Sequence, residues 1–275
     1  MGELRDEEGN MLPCLEMTKA QYLPSLEKKK WRDDNKEIEV GEDIQKFFRQ
    51  EKIDVKILLR DSDDQAKYEL FQRINTGGTP LSDQEVRNCI LIMVNRDAYF
   101  WIEDLARLES FKVCCPIPER LALERYDLEL VLRFAILHNI SVEDIIEVSD
   151  LSQFLTTEMR SRLAPDVADL LQIKNLFRRV FDVLNAACGD NALRKYDQGK
   201  GRFSGPFLIS AFELVALGVA ANIEHVEKKG KDWLEAKVKA IWSDQRADGI
   251  YGQGVSTARR LPRTLSLGRE FFSEA

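Results

Sequence analysis

The sequence predicts a mainly α protein with a small β element near its start, and three observations support this fold class. Apolar residues recur at helical intervals through most of the chain after residue 62. Two capping boxes, Ser62 with Gln65 and Ser82 with Glu85, mark helix starts. The segment 53–59 alternates apolar and charged residues, as a half-buried strand does. We therefore expect a helical bundle that follows a small, incomplete β-containing part.

The predicted strand needs partners that the sequence does not show clearly. Every second residue from Ile53 to Leu59 is apolar, and Leu58 is the one break in the alternation. Because a strand must pair its backbone N–H and C=O groups, we expect other strands in the irregular N-terminal region or outside this chain.

Two predicted helices flank a glycine pair. The first runs from Ser62 to the pair Gly77-Gly78, and the second begins after Ser82. In the second, an apolar stripe at helical spacing is predicted to face the core. The stripe consists of Val86, Cys89, Ile90, Met93 and Val94.

Further helices are predicted over the rest of the chain. The segment RYDLELVLRFAIL, residues 125–137, is apolar nearly all round and is predicted to be central. The run 206–223 is the most apolar, but Glu213 in its middle favours a buried helix over a membrane span. The other predicted helices cover 151–163, 166–187, 204–223 and 231–243.

Composition and charge predict a soluble globular protein of the cytoplasm. The 275 residues are 44% hydrophobic and carry a net charge of -7, which argues against a chain that coats nucleic acid along its whole length. The five cysteines form no Cys-x-x-Cys pair and no signal-peptide pattern precedes them, so reduced thiols are expected. Two histidines, His138 and His225, are too few for a zinc site or a His-metal nuclease finger.

The stretch FQRINTGGTPLSDQEVRNCI, residues 71–90, is the first candidate site. Gly77 and Gly78 can bring bare N–H groups close to a ligand, while Arg73 and Arg87 supply charge for a phosphate. The spacing matches neither a Walker loop nor a dinucleotide fingerprint. The alternative is a plain joint between two helices, in which the glycine pair caps the first helix. The residues by themselves leave both interpretations open.

Two later basic segments are candidates for contact with nucleic acid. In LRKYDQGKGRFSGP, aromatic residues and two glycines lie among basic residues, as in loops that hold a phosphodiester backbone; a solvated loop is the alternative. The arginine-rich VSTARRLPRTLSLGR is predicted to be a tail that touches phosphates or pairs with the acidic surface. The candidate residues are Arg194, Lys195, Lys200, Arg202, Arg259, Arg260 and Arg263.

Two smaller features are predicted to be structural. Cys114 and Cys115 show no charged partner in sequence, which favours a buried or loop pair over redox chemistry. His138 ends the apolar helix and is predicted to pack or to cap it.

The stretch LFQRINTGGTPLSDQEVRNCI resembles the signature of the N-terminal domain of GmrSD-type restriction endonucleases, whose fold is related to the ParB and sulfiredoxin proteins. The likeness extends to YLPSLEKKKW, RYDLELVLRFAIL, GKGRFSGPFLISAFE and the arginine-rich end. It implies a ParB-like nucleotide-binding region over 1–95, followed by a helical domain over 96–275.

The resemblance also implies a function in prokaryotic restriction or phage defence. Such a domain would bind a nucleoside triphosphate with Mg²⁺ and serve or regulate DNA cleavage. Arg73 would meet phosphate charge, the glycine amides would donate hydrogen bonds, and Asn75 would orient the turn. The implied nucleotide-binding residues are Arg73, Asn75, Thr76, Gly77, Gly78 and Arg87.

One departure from the family pattern limits this expectation. The family's Asp-Gly-Gln-Gln-Arg motif is absent, and MGELRDEEGNMLP resembles the sequence that follows it, so we expect a truncated domain with part of a nucleotide pocket. An HNH nuclease domain is absent too, so cleavage is expected only through a missing segment or a partner chain. The alternatives are a non-enzymatic helical interaction module and a DNA-binding accessory protein.

Overall fold

The structure is a computed structural model that describes residues 5, 9–12, 14–18, 23–52, 81–146, 148–164, 169–250 and 257–274. The chain divides into two compact units, residues 1–62 and 63–275. The predicted strand at 53–59 and the predicted helix from Ser62 to Gly77 lie outside the described residues. The mainly α prediction is confirmed, since helices dominate what is described and its named strands form one two-stranded sheet.

The described part of the first unit contains isolated β-bridges and one helix. Lys30 bridges to Glu16 in an antiparallel sense and to Glu39 in a parallel sense. A 3-10 turn, Pro24–Leu26, lies between Glu16 and Lys30 in the sequence. The helix α1 (Glu42–Gln50) follows, and acidic residues in its first turn suit the positive end of its dipole.

The second unit is built from many short helices around one hydrophobic core. They are α2 (Asp83–Val94), α3 (Arg96–Ala106), α4 (Glu109–Cys114), α5 (Glu119–Leu123), α6 (Tyr126–Leu137), α7 (Val142–Ile146), α8 (Leu151–Arg162), α9 (Leu170–Cys188), α10 (Ile209–Ala211), α11 (Leu217–Ala221), α12 (Ile223–Lys229), α13 (Lys231–Ala240) and α14 (Thr257–Phe271). A π-helix, Phe212–Ala216, joins α10 to α11. Short 3-10 turns occupy Gly189–Asn191, Ile241–Ser243 and Gln245–Ala247. The helix α2, which the sequence assigns to the first domain, packs on α3 in this second unit.

The helix α6 is central, as its sequence predicts. Eight of its twelve residues are buried, because it meets neighbours on nearly every side. Its Phe134 ring lies 5.0 Å from the ring of Phe177 on α9, and Phe177 lies 4.5 Å from Phe181. The edge-on contact between Phe134 and Phe177 joins α6 to α9 in the middle of the core, and Phe181 packs beside Phe177 on α9.

The predicted continuous helix over 204–223 is wrong at its start and in its middle. Residues up to Ser204 belong to a strand, and Gly205 has a φ of 82°. Pro206 follows, so the helix begins only at Ile209. The π-helix then interrupts the α-helical hydrogen bonding over Phe212–Ala216. In contrast, the helices predicted over 151–163 and 231–243 are found within a few residues of their expected bounds.

The segment from Arg194 to Pro206 contains a β-hairpin, which the sequence analysis missed. Strand β1 (Lys195–Asp197) pairs antiparallel with β2 (Arg202–Ser204), with Tyr196 opposite Phe203. Those two rings lie 5.0 Å apart in an edge-to-face contact, a cross-strand pair that stabilises a short hairpin. Strands of three residues are too short to show the alternation of apolar and polar residues that identifies a strand in a sequence.

The arginine-rich end is a packed helix, so its prediction as a tail is wrong. In α14 the residues Leu261, Leu265, Leu267 and Phe271 are buried. Four arginines conceal this apolar stripe in the sequence, although its spacing suits a helix. Pro262 is the sixth residue of this helix and has no backbone N–H to donate to the preceding turn.

No helix in the described ranges is by itself long and apolar enough to cross a membrane. The two parts Ile209–Ala221 and Ile223–Lys229, bent by 86°, meet the length and composition requirement only when they are counted together.

Candidate functional site

The turn of the first candidate site leads into α2, whose start is well defined. Ser82 is its N-cap, and the Ser82 hydroxyl accepts from the backbone N–H of Glu85 at 3.3 Å. The Glu85 carboxylate accepts in return from the backbone N–H of Ser82 at 2.7 Å. The predicted capping box is confirmed. The residues predicted to bind nucleotide just before it lie outside the described part of the chain: Arg73, Asn75, Thr76, Gly77 and Gly78.

The buried face of α2 carries polar as well as apolar side chains, so the predicted apolar stripe is wrong in part. Ile90 is buried, but Met93 is 49% exposed, while Gln84 and Arg87 are 3% and 2% exposed. Burying a guanidinium costs free energy unless a counter-charge accompanies it. The helix α2 therefore buries the face that carries Arg87, because a carboxylate is available there.

Arg87 is held by three helices. Its Nη2 donates to Oε2 of Glu129 on α6 at 2.9 Å, and its Nη1 donates to the hydroxyl of Ser152 on α8 at 2.8 Å. Its Nε donates to Gln84 on its own helix at 2.9 Å. All three guanidinium nitrogens of Arg87 thus have partners inside the protein. The prediction that Arg87 binds a nucleotide stays a prediction.

Glu129 also connects to Arg133 one turn further along α6. Arg133 donates from Nε and Nη2 to Oε1 of Glu129, at 2.9 and 2.6 Å. Its Nη1 lies 3.4 Å from Oε1 of Glu213 in the π-helix. The two glutamates are therefore bridged by one arginine.

Glu213 is fully buried, with no exposed surface. Arg260 on α14 donates to both of its oxygens, from Nε at 2.9 Å and from Nη2 at 3.0 Å. This bidentate geometry is the strongest form of an arginine–carboxylate pair. It explains how a glutamate is accommodated in the most apolar run of the sequence.

These five residues form one chain of alternating charge, which we call the charge network: Arg87, Glu129, Arg133, Glu213 and Arg260. Three guanidiniums and two carboxylates leave one positive charge in excess. None of the five side chains is more than 12% exposed. Such a network is electrostatically strong and costly to break.

Burial and neighbouring charges shift the pKa values of groups in and beside the charge network. Burial lowers the pKa of Arg87 below its usual value, although Glu129 opposes the shift. Burial also acts to lower the pKa of Arg133, but Glu129 and Glu213 outweigh it and leave that pKa raised. Next to them, burial raises the pKa of Tyr126 to about 12. All of these groups keep one protonation state at neutral pH.

The structure thus joins two arginines that the sequence placed in different candidate sites. Arg87 was predicted to bind nucleotide and Arg260 to bind nucleic acid, yet the charge network connects them through residues that sequence reasoning missed. Signals for all three of those residues were present: Glu213 interrupts an apolar run, and Glu129 and Arg133 are four residues apart on a predicted central helix.

The other predicted basic residues lie at the surface or close to it. Lys200 pairs with Asp197 at 2.9 Å, and Arg194 lies 3.4 Å from Asp190. Lys195 and Arg202 are exposed on the two strands of the hairpin. On α14, Arg259 and Arg263 are exposed, and Arg263 donates to the carbonyl oxygen of Asp248 at 3.1 Å.

The cysteine and histidine predictions agree with the structure. Cys114 and Cys115 are buried, and burial raises the pKa of Cys114 to about 12, which suppresses the reactive thiolate. His138 is the C-cap of α6, where its Nδ1 contacts the carbonyl oxygens of Phe134 and Ala135. Within the described ranges, no group of three or more His, Cys, Asp or Glu side chains is placed to hold a metal ion.

The fold and the charge network define a mainly α protein whose helices are joined by buried ion pairs. Residues 4–92 match the family model of the GmrSD restriction endonuclease N-terminal domain. The resemblance drawn from the sequence is confirmed over that segment, and the family indicates a domain related to restriction and phage defence. No curated protein and no solved structure matches the chain. The family match includes the RINTGG turn and Arg87, whereas the other four residues of the charge network lie beyond it.

Proposed function

We propose that this chain is a nucleotide-binding or regulatory component of a restriction or phage-defence system. Any DNA cleavage would depend on residues outside these 275 or on a partner chain. The observation that supports this best is the family match over 4–92, which includes the RINTGG turn. The helix directly after that turn is anchored by Arg87 to the charge network.

The proposal assigns different tasks to the residues around the turn. Arg73 meets phosphate charge, Gly77 and Gly78 present backbone N–H groups, and Asn75 orients the turn. Arg87, whose guanidinium nitrogens all have internal partners, holds α2 in place against α6 and α8. Mg²⁺ would arrive on the phosphates of a nucleoside triphosphate, which is how this ion usually binds.

Replacing Arg73 tests the proposal. We expect Arg73→Ala to weaken nucleoside triphosphate binding by about 10- to 100-fold, because one charge-assisted hydrogen bond to phosphate is lost. Isothermal titration calorimetry with each of the four ribonucleoside triphosphates and Mg²⁺ measures this. The matched control is Arg178→Ala, which removes an exposed arginine on α9 and should leave binding unchanged. Failure of the wild-type chain to bind any of the four, or equal binding by Arg73→Ala, would refute the proposal.

A second candidate function is binding of DNA as an accessory protein, and the hairpin favours it. Its two strands expose Lys195 and Arg202, and Lys200 is 62% exposed at the turn. The hairpin packs on the 3-10 turn Ile241–Ser243. Short basic strands of this kind suit contacts with a phosphate backbone.

The salt dependence of DNA binding tests this second function. If Lys195, Lys200, Arg202, Arg259 and Arg263 each meet one phosphate, affinity should fall roughly 500-fold between 50 and 200 mM salt. Arg202→Ala should reduce the slope of log affinity against log salt by about 1, and Arg178→Ala should leave it unchanged. Fluorescence anisotropy with a labelled duplex gives both values. A flat salt response would remove this candidate.

A further inference from the structure

A cavity of about 530 Å³ lies where the C-terminal ends of α6 and α8 meet the first half of α9. This volume is in the range of sites for small ligands. None of the described residues that line it belongs to the charge network. Its polar lining in the described part of the chain consists of His138, Asn139, Arg162, Asp169, Gln172, Asn175 and Arg179.

Each arginine of the cavity is held in place by a carboxylate that is not among the described lining residues. Arg162 donates from Nε to Glu158 at 2.5 Å and from Nη1 to Asn139 at 3.2 Å. Arg179 donates to both oxygens of Glu227, at 2.9 and 2.6 Å. An arginine has five N–H donors, so each guanidinium keeps donors for a ligand.

The described lining of the cavity is rich in hydrogen-bond donors. One acidic side chain, Asp169, is among its described residues, and that carboxylate caps α9 by accepting from the backbone N–H of Gln172 at 3.0 Å. The Glu158 and Glu227 carboxylates balance the two guanidiniums from outside the described lining, and each guanidinium still has N–H groups that no described residue accepts from. The side-chain amides of Gln172 and Asn175 add uncharged donors.

His138 adds one acceptor to this set of donors. Its Nδ1 lies 3.1 and 3.0 Å from the carbonyl oxygens of Phe134 and Ala135, which only accept, so Nδ1 carries the proton. Burial lowers the pKa of His138, and the nearby Arg162 and Arg269 act in the same direction. The ring is therefore neutral at physiological pH, and its Nε2 accepts.

We propose that this cavity binds a small phosphorylated molecule. Its phosphate interacts with Arg162 and Arg179, because a dianion with three terminal oxygens can use both guanidiniums and the amide donors. A hydroxyl or N–H group of the same molecule donates to Nε2 of His138. This proposal uses different residues from the nucleotide-binding proposal, so the two can fail independently.

Histidine NMR tests the proposal directly, because the chain has two histidines. The probes are inorganic phosphate and glycerol 3-phosphate, added to protein with ¹⁵N-labelled imidazoles, and His138→Gln assigns the signals. We expect saturable shifts of the His138 resonances while those of His225 stay in place. Chloride at matched ionic strength should cause no such shift. Absence of saturable His138 shifts, or equal shifts with chloride, would overturn the proposal.

Two neighbouring arginines on α9 provide a matched pair of variants. Arg179→Gln should weaken phosphate binding about tenfold, since it removes a charged donor. Arg178→Gln should have no effect, because Arg178 is exposed and is not part of the lining. Both variants should keep the wild-type melting temperature, because the Arg179–Glu227 pair is solvent-exposed. Arg73→Ala should bind phosphate here like the wild type. Equal binding by the two α9 variants would refute the assignment of Arg179.

Discussion

Glu213→Ala should lower the free energy of unfolding by about 3–5 kcal/mol, the usual cost of removing one partner from a buried ion pair. The Glu213 carboxylate has no exposed surface and balances Arg260 at 2.9 and 3.0 Å and Arg133 at 3.4 Å. Without it, the three guanidiniums of the charge network remain among apolar helices with a single carboxylate, Glu129, to offset them. Urea denaturation followed by circular dichroism measures the change.

A second glutamate, Glu227, is a control that is ion-paired in the same way but is not buried. Glu227 forms an equally bidentate pair with Arg179, but the two side chains are 37% and 42% exposed. Glu227→Ala should therefore cost less than about 1 kcal/mol. Glu213→Gln keeps the shape of the side chain and removes only its charge. Its loss in the free energy of unfolding should therefore be close to that of Glu213→Ala. If Glu213→Ala costs no more than Glu227→Ala, the charge network does not hold the helices together.

The charge network gives the second unit a specific arrangement of helices. Apolar side chains can pack in several registers, but a buried guanidinium is tolerated only where its carboxylate lies within hydrogen-bonding distance. Arg87 on α2 and Arg260 on α14 are 173 residues apart in sequence, yet both must meet partners on α6 and the π-helix. The network therefore restricts the position of α2 against α6 and α14 in this unit.

Local signals in the sequence predicted the parts of the fold that depend on local interactions. The capping box of Ser82 and Glu85 involves residues three apart, and it marks the start of α2 correctly. The helix α6 was predicted as central because its own composition is apolar nearly all round. Both predictions depend on residues of the helix itself and not on the segment that packs against it.

Features that depend on distant partners could not be predicted in this way. The polar face of α2 looks solvent-exposed in sequence, and only the presence of Glu129 on another helix makes its burial favourable. Likewise, four arginines made α14 look like a tail, because the sequence does not show that Glu213 receives one of them. The hairpin was missed for another reason, since its strands are too short to show alternation.

Gly268→Ala should destabilise the protein by about 3 kcal/mol, because it overpacks the contact between α14 and the π-helix. A Cβ atom at Gly268 would lie 2.2 Å from the carbonyl oxygen of Leu214, and one at Gly218 would lie 2.6 Å from the carbonyl oxygen of Gly268. Both obstacles are backbone atoms, which cannot rotate away as a side chain can. The helices would have to separate. Thermal and urea denaturation measure the loss.

Whether Gly268→Ala lowers or raises stability tests the contact between α14 and the π-helix. At an exposed helical position, Gly→Ala stabilises by about 1 kcal/mol, so a stabilised Gly268→Ala variant would show that α14 does not lie against Leu214. Gly199→Ala is the control, since its Cβ would meet its nearest described neighbour at an ordinary 3.5 Å. The same close approach brings Arg260 to Glu213, which adjoins Leu214. A separation of the helices at Gly268 should therefore also weaken that ion pair, and the cost of Gly268→Ala combined with Glu213→Ala should be smaller than the sum of the two single losses.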